Sequence, residues 1–269
     1  MPLLHKYLGN PLLSLVGRLF FKVEIGDFYC GLRGFNRDRI QALSLRSTGM
    51  EFAIEMVVRS ALAGYRIDEI PAILKKDGRS RPPHLRTWRD GWRGLCFLLM
   101  HNPKWLFLYP GMSILALGFF ATLVLLPGQV IIGSVSFDIH TFAVACTAVL
   151  IGVQSISFAV VARRFATAHG LIPRSTRWAR IIDAITVEKI LLVAMVIGLA
   201  GFAGFIWCFW SWASTGFGAL EYPWLMRVLI VSLTGLAIGV QLTLTGFLSG
   251  IMEIPTNTAP PFRLLGGDG

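Results

Sequence analysis

The segment Ile190–Leu220, ILLVAMVIGLAGFAGFIWCFWSWASTGFGAL, contains no Asp, Glu, Lys or Arg. A helix of about 20 apolar residues crosses the hydrocarbon core of a bilayer, so this run is long enough to span one. Three other runs share the property: Trp105–Phe137, Ile139–Ala162 and Val228–Met252. Across the 269 residues, 54% are hydrophobic and only 15% charged, where soluble domains carry roughly 25% charged residues. A purely soluble protein and a disordered chain are both excluded. The first hundred residues are charged and polar and lack the early apolar core of a signal peptide. The reading is therefore a helical bundle over 105–252, with spans at about 106–127, 140–162, 190–212 and 227–251.

Loop charge sets the expected orientation. The connection after the first span, around Gly128–Asp138, has no basic residue, and neither does Ser211–Leu225. The connection between them carries Arg163, Arg164, Arg174, Arg177, Arg180 and Lys189. This alternation predicts a multi-pass protein with the N-terminal region and the tail, 253–269, both cytoplasmic. Of the net charge of +10, most lies before the first span. A basic region next to a membrane suits anionic headgroups or a phosphate-bearing ligand. Nucleic acid is disfavoured, because the basic residues form no block and no binding motif. Cys146 and Cys208 fall inside spans, and Cys30 and Cys96 on the cytoplasmic side without a C-x-x-C, so reduced thiols are expected.

In the first hundred residues, Leu8–Phe21 has apolar residues at helical spacing, interrupted by Pro11. Gly26–Arg33 reads as loop, Leu32–Phe35 as a short strand-like piece and Arg37–Leu45 as helix. Ala53, Ile54, Val57, Val58, Ala61 and Leu62 form one helical face that stops before Gly64. Arg66–Lys76 reads as an edge strand, since Pro71 cannot donate to a ladder. Asp77–His84 is loop by composition. Leu85–Met100 is amphipathic, with a stripe of Leu85, Trp88, Trp92, Leu95 and Leu99 flanked by Arg86, Arg89 and Arg93, the pattern of a helix in the headgroup layer. These elements bury too little for a self-sufficient core.

Four motifs in order, Asp27-Phe-Tyr-Cys30-Gly31-Leu-Arg33-Gly-Phe35-Asn-Arg37, Gly49-Met-Glu51-Phe52-Ala-Ile-Glu55-Met56, Gly64-Tyr-Arg-Ile-Asp-Glu69-Ile70-Pro71 and Gly78-Arg79-Ser80, precede Leu85-Arg86-Thr-Trp-Arg-Asp90-Gly91-Trp-Arg93. Together they resemble the C-terminal part of the catalytic domain of family 2 glycosyltransferases. The branch they are most similar to is the dolichol-phosphate mannose or glucose synthase-like one, whose acceptors are polyprenyl phosphates. The resemblance covers about residues 1–105 and implies a partial α/β fold, the C-terminal part of a GT-A-like, Rossmann-like domain, over 1–84. An interfacial helix and linker over 85–104 and four transmembrane helices follow. Bacterial members carry such a multi-span tail, which implies a bacterial inner membrane. Such enzymes hold donor diphosphate and a divalent metal, Mg or Mn, through an Asp-x-Asp motif that follows a βαβ half. Neither occurs in this sequence, so the chain reads as an N-terminally truncated enzyme, the product of a late start codon or a degenerate relative, and the metal and the nucleotide sugar are expected only where a donor half is supplied.

In the implied reaction the nucleophile is a phosphate monoester, already largely anionic at neutral pH because its second pKa is about 6. The site then needs cations more than a base. By motif, Arg33, Arg37, Arg79 and Ser80 would serve the acceptor phosphate. Asp27 and Cys30, the latter a Ser in many relatives, would shape the loop. Glu51 and Glu55 are possible site-organising residues. Arg86, Trp88, Arg89, Trp92 and Arg93 would meet the membrane.

Plainer readings stand beside these. Arg33 and Arg37 can be solvated arginines; Glu51, Glu55 and Arg59, four apart, can be an exposed ion-paired face. His5, His84 and His101 are isolated and suggest no metal site. The spans show no acidic or basic residue for an ion path. Gln154 and Gln241 are expected to bond each other. Gly198, Gly201, Gly204, Gly235-x-x-x-Gly239 and Gly246-x-x-x-Gly250 favour close helix approach. The partners expected are membrane lipid, polyprenyl phosphate and either a second copy or a donor domain. A non-catalytic lipid-presenting module and a flippase component for the lipid-linked sugar remain alternatives.

Overall fold

The computed structural model describes residues 9–49, 51–72, 87–172, 185–218 and 223–253. These fall into two compact units, one of residues up to 103 together with 166–172, the other of 104–165 and 185–253.

In the first unit, α1 (Asn10–Phe21), α2 (Arg37–Ala42), α3 (Glu51–Leu62) and α4 (Thr87–Met100) are joined by irregular backbone. Pro11 sits in the first turn of α1, where its missing N–H costs nothing, so it starts the helix that the sequence showed it interrupting. The core gathers Ile25 and Phe28 from the loop after α1, Ile54, Val57 and Val58 from α3, and Phe97 and Leu98 from α4. Phe28 is wholly buried, and its ring fills the place of a side chain on α1: a Cβ at Gly17 would lie 2.6 Å from Phe28 Cζ.

No β-strand occurs among the described residues of this unit. Leu32–Phe35 and the described part of the expected edge strand, 66–72, are irregular. Their apolar members Leu32 and Ile70 are almost fully exposed, so they have neither a neighbouring strand nor a packed face to alternate against. The helices of the expected α/β part are present; its sheet is not among the described residues.

The second unit holds four helices long and apolar enough to cross a membrane: Lys104–Leu125, Ile139–Ala168, Val187–Ser214 and Pro223–Met252. The first opens with a π-helical turn, Lys104–Leu108, and continues as α5 (Tyr109–Leu125). The others are α6 (Ile139–Ala168), α7 (Val187–Ser214) and α8 (Pro223–Glu253). Between α5 and α6 the connection forms a hairpin, β1 (Val130–Ile132) paired antiparallel with β2 (Val135–Phe137). Gly133 takes the positive φ of 62° that its two-residue turn demands.

Lipid offers no hydrophobic gain for bringing two helices together, so close backbone approach supplies the attraction. Gly201 of α7 lies so near α8 that a Cβ there would be 2.6 Å from Leu236 N, and a Cβ at Gly239 would be 2.7 Å from Gly198 Cα. Gly118 of α5 meets α6 likewise, 2.8 Å from Ala148 Cβ. The α6–α8 contact rests on different means. Phe142 packs with Cys146 and Ile230, Arg227 bonds Asp138 at 2.5 Å, and Arg164 donates to Ser249 Oγ at 2.7 Å and to the carbonyl of Ile185.

Two expectations for the spans are corrected. Arg227 lies inside the fourth helix and is buried. The helix begins at Pro223, four residues earlier than expected, and the carboxylate of Asp138 makes the charge tolerable there. Gln154 and Gln241 form no bond among the described residues, and Gln241 Oε1 is buried without a partner. The work given to them falls to Arg227 and Arg164.

Candidate acceptor loop and its supports

The loop between α1 and α2 carries Asp27, Cys30 and Arg33. Lys22 ends α1 in the left-handed region and sends its N–H back to Arg18 O. Ile25 and Phe28 then pin the loop into the core, and Phe28 N donates to Ser14 Oγ at 3.3 Å. On the outer side the carboxylate of Glu69 accepts Gly26 N at 2.7 Å and Asp27 N at 3.1 Å. Asp27 Oδ1 accepts Tyr29 N at 2.8 Å, closing a turn on its own backbone. The Tyr29 hydroxyl is buried without a partner. Burial, with the Asp27 charge second, pushes its pKa up to about 12.

Arg33 is a clamp. Its Nε donates to Cys30 O at 2.7 Å, Nη2 to Phe28 O at 2.8 Å and Nη1 to Ala53 O. Two loop carbonyls and the first turn of α3 are thus held by one planar group. Burial lowers its pKa, with the nearby Cys30 and Asp27 opposing that effect. A guanidinium has five N–H donors; three serve the protein here. Cys30 is exposed, with a contact of 3.7 Å from its thiol to Leu32 O. Arg37, the first residue of α2, is exposed. Arg79, Ser80 and Arg86 lie outside the described residues.

Glu51 and Glu55 belong elsewhere. Glu51 opens α3, its Oε2 near Gly49. Glu55 and Arg59 contradict the exposed-face reading: they are 3% and 5% exposed and 3.7 Å apart. Spacing alone cannot tell a solvated i,i+4 pair from a covered one, and here the segment after α2 covers it. Glu55 accepts Arg46 N at 3.1 Å and Ser47 N at 2.7 Å, while Arg59 Nη2 donates to Gly170 O at 3.0 Å. Burial lowers the Arg59 pKa, against the pull of Glu55. His101, stacked on Phe97, borders the pair; burial lowers its pKa, while the Phe97 carbonyl and Glu55 oppose this and Arg59 adds to it.

Sequence reasoning singled out Arg33 and Asp27 but missed the role of Glu69. Glu69 precedes Ile70-Pro71 in its motif, and no periodicity links it to a loop 42 residues earlier. On α4 the packed residues are Gly94, Phe97 and Leu98, while Trp88 and Trp92 are 80% and 66% exposed. Arg89 pairs with Asp90 at 3.5 Å, and Arg93 is exposed. Among the described residues no three His, Cys, Asp or Glu side chains gather to hold a metal ion.

Residues 160–253 match the family described as the glycosyltransferase family 2 C-terminal transmembrane region. Over 255 residues, 93% of its length, the chain is 31% identical to the low-salt glycan biosynthesis hexosyltransferase Agl6 of Haloferax volcanii. The chain is thus similar to the C-terminal part of a family 2 glycosyltransferase. It spans 59% of that relative's own length. No solved structure matches it. With its four apolar helices and this match, the chain is an integral membrane protein.

Proposed function

We propose that this chain supplies the acceptor side and the membrane anchor of a glycosyltransferase that moves a hexose from a nucleotide sugar to a polyprenyl phosphate at the cytoplasmic face. The observation that carries the reading is the continuity of its similarity to a hexosyltransferase through both units, acceptor loop and spans alike. In this reading a phosphate oxygen of the lipid attacks the anomeric carbon. The bond to the nucleotide diphosphate breaks, and the diphosphate leaves with the electron pair. A nucleotide-binding half, in a longer chain or a partner, would hold the leaving group, and Mg or Mn bound there would offset its charge.

The chain's own residues receive the acceptor. Glu69 and Arg33 fix the loop from both sides, and cations at Arg33 and Arg37, with Arg79 and Ser80 by motif, offset the lipid phosphate. Arg33 acts as a positioning residue, since three of its donors grip carbonyls. Asp27 sets the turn and leaves Cys30 at the surface. Trp88, Arg89, Trp92 and Arg93 seat α4 in the headgroups.

The test is reconstitution in nanodiscs with a nucleotide-binding half, in one chain or as a partner, plus labelled nucleotide sugar, Mg and a polyprenyl phosphate. Label should enter the solvent-extractable lipid only when both halves and the phosphorylated lipid are present. Equal labelling of an unphosphorylated polyprenol, or labelling of a soluble acceptor alone, overturns the reading.

A further inference from the structure

The hairpin between α5 and α6 has two unlike faces. Val130 pairs with Phe137, Ile131 with Ser136 and Ile132 with Val135. Successive residues of a strand point to opposite sides, so Val130, Phe137, Ile132 and Val135 share one face and Ile131 and Ser136 the other. On the first face, Val130 and Phe137 pack on Leu125, Phe142 and Cys146 at the end of the bundle. Ile132 and Val135 continue that face toward the turn at Gly133, and they are 66% and 53% exposed. On the other face Ser136 Oγ donates to Gln129 Oε1 at 3.5 Å.

The span before it fixes the level of this face. Lys104–Leu125 has 22 residues, and at about 1.5 Å per residue it covers about 33 Å, against a hydrocarbon core of about 30 Å. Leu125 therefore stands at the membrane boundary, with the hairpin directly beyond it. Leu123 and Val124, on the last turn of α5, are exposed apolar side chains, so the lipid-facing surface of the span runs up to the hairpin. No Asp, Glu, Lys or Arg occurs from Trp105 to Phe137. The start of α8 lies at the same end, since Arg227 bonds Asp138 beside β2. There Trp224 is half-exposed, a common place for an aromatic at a membrane boundary. A two-stranded hairpin leaves the outer N–H and C=O groups of both strands unpaired. Hydrocarbon does not tolerate such edges, and hydrated headgroups do.

We propose that the hairpin lies across the rim of the bundle as a wedge in the leaflet at this end. Its backbone stays in the headgroup layer, and Ile132 and Val135 reach into the upper part of the acyl chains. The occupant of the face is lipid. The face continues the bundle's own lipid-facing surface, and two aliphatic side chains fall far short of the roughly 1,000 Å² that a stable protein interface needs. Ile131 and Ser136 look outward among the headgroups. The wedge holds the ends of α5 and α6 at a fixed depth. The inference concerns the membrane unit alone and is independent of the sugar-transfer reading.

The experiment uses the full chain in phosphatidylcholine nanodiscs, with Cys30→Ser and Cys96→Ser. An environment-sensitive fluorophore is attached, in separate samples, at Ile132→Cys, Val135→Cys and Ser136→Cys. Leu199→Cys, exposed midway along α7, and Arg66→Cys, exposed in the segment after α3, serve as references. The parent without an added cysteine gives the background from buried Cys146 and Cys208. Circular dichroism confirms helix content in each sample. At 132 and 135 a nitroxide near the top of the acyl chain should quench more than one near its end, and at 199 the order should reverse. Aqueous iodide should quench 66 and 136 several-fold more than 132 and 135. Iodide quenching at 132 and 135 as strong as at 136 overturns the proposal, because the face then meets water. Labels at 132 and 135 shielded from both iodide and nitroxide overturn it too, because protein then covers the face.

Discussion

The two units solve the same problem, how to hold helices together, by opposite means. In the membrane unit α7 and α8 meet backbone to backbone, and what matters at Gly201 and Gly239 is the absence of a side chain. In the first unit short helices and irregular loops surround a few large side chains, chiefly Phe28, Ile54 and Leu98. There the loops are fastened by side chains that reach backbone groups: Glu69 to 26 and 27, Glu55 to 46 and 47, Arg33 to 28, 30 and 53. Water drives the second kind of packing through burial of apolar surface, and its absence in lipid leaves only contact for the first. Repetition along the chain can encode a glycine seam. Loop fastening depends on pairs far apart in sequence.

The largest effect should come from breaking a fastening whose charge is buried. Glu55→Ala leaves Arg59 without its counter-ion and frees two backbone N–H groups, so the first unit should lose about 3–5 kcal/mol. Pulse proteolysis in denaturant of the nanodisc-bound chain reads this as an earlier cleavage midpoint. Replacing both partners, Glu55→Leu with Arg59→Met, should cost much less, because no orphaned charge remains. If the single and double variants lose equally, the pair is not the fastening.

Next comes the glycine seam. Gly201→Leu drives atoms into the backbone of α8 and should cost about 3 kcal/mol, the upper range for overpacking. Gly235→Ala, whose Cβ would stand 3.4 Å from Gly201 Cα, should be nearly neutral. Buried Cys208 reports the difference: maleimide should reach it faster in Gly201→Leu alone. Equal labelling in both variants would mean that α7 and α8 adjust freely.

Below both lies the clamp. Arg33→Lys keeps the charge but cannot span Phe28 O, Cys30 O and Ala53 O at once. It should cost about 1–2 kcal/mol by loss of hydrogen bonds and raise the exchange rate of the amides from Phe28 to Arg33. Were Arg33 only a charge for phosphate, Lys would leave those amides protected.

The same contrast explains what could be read from sequence. The four spans were legible because each is long, uncharged and self-contained in its hydrogen bonds. The helical face of Ile54, Val57 and Val58 was legible for the same local reason. The expected strands failed because a strand is defined by its neighbour, and among the described residues Leu32 and Ile70 have none. Arg33 was placed correctly in the loop, yet its target carbonyls, one of them 20 residues away, could not be inferred from spacing. Glu55 and Arg59 kept the i,i+4 spacing of a surface pair while a distant turn at Gly170 covered them.

The smallest effect is a pH dependence at the edge of the buried pair. His101 has its pKa lowered chiefly by burial, so its folded-state pKa lies below the unfolded value of about 6.5. The sign follows: the stability tied to neutral His101 is present above about 6.5 and is lost as pH falls through the folded pKa, with a slope of at most about 1.4 kcal/mol per pH unit for one proton. The cleavage midpoint of the first unit should fall on mild acidification, and His101→Asn should remove that part of the slope. Glu55 opposes the lowering while Arg59 adds to it, so Arg59→Met should shrink the slope by bringing the folded pKa back toward the unfolded one. A midpoint that rises on acidification would mean that protonated His101 gains more from Glu55 than burial takes away. The pair would then be held by three charges and not two.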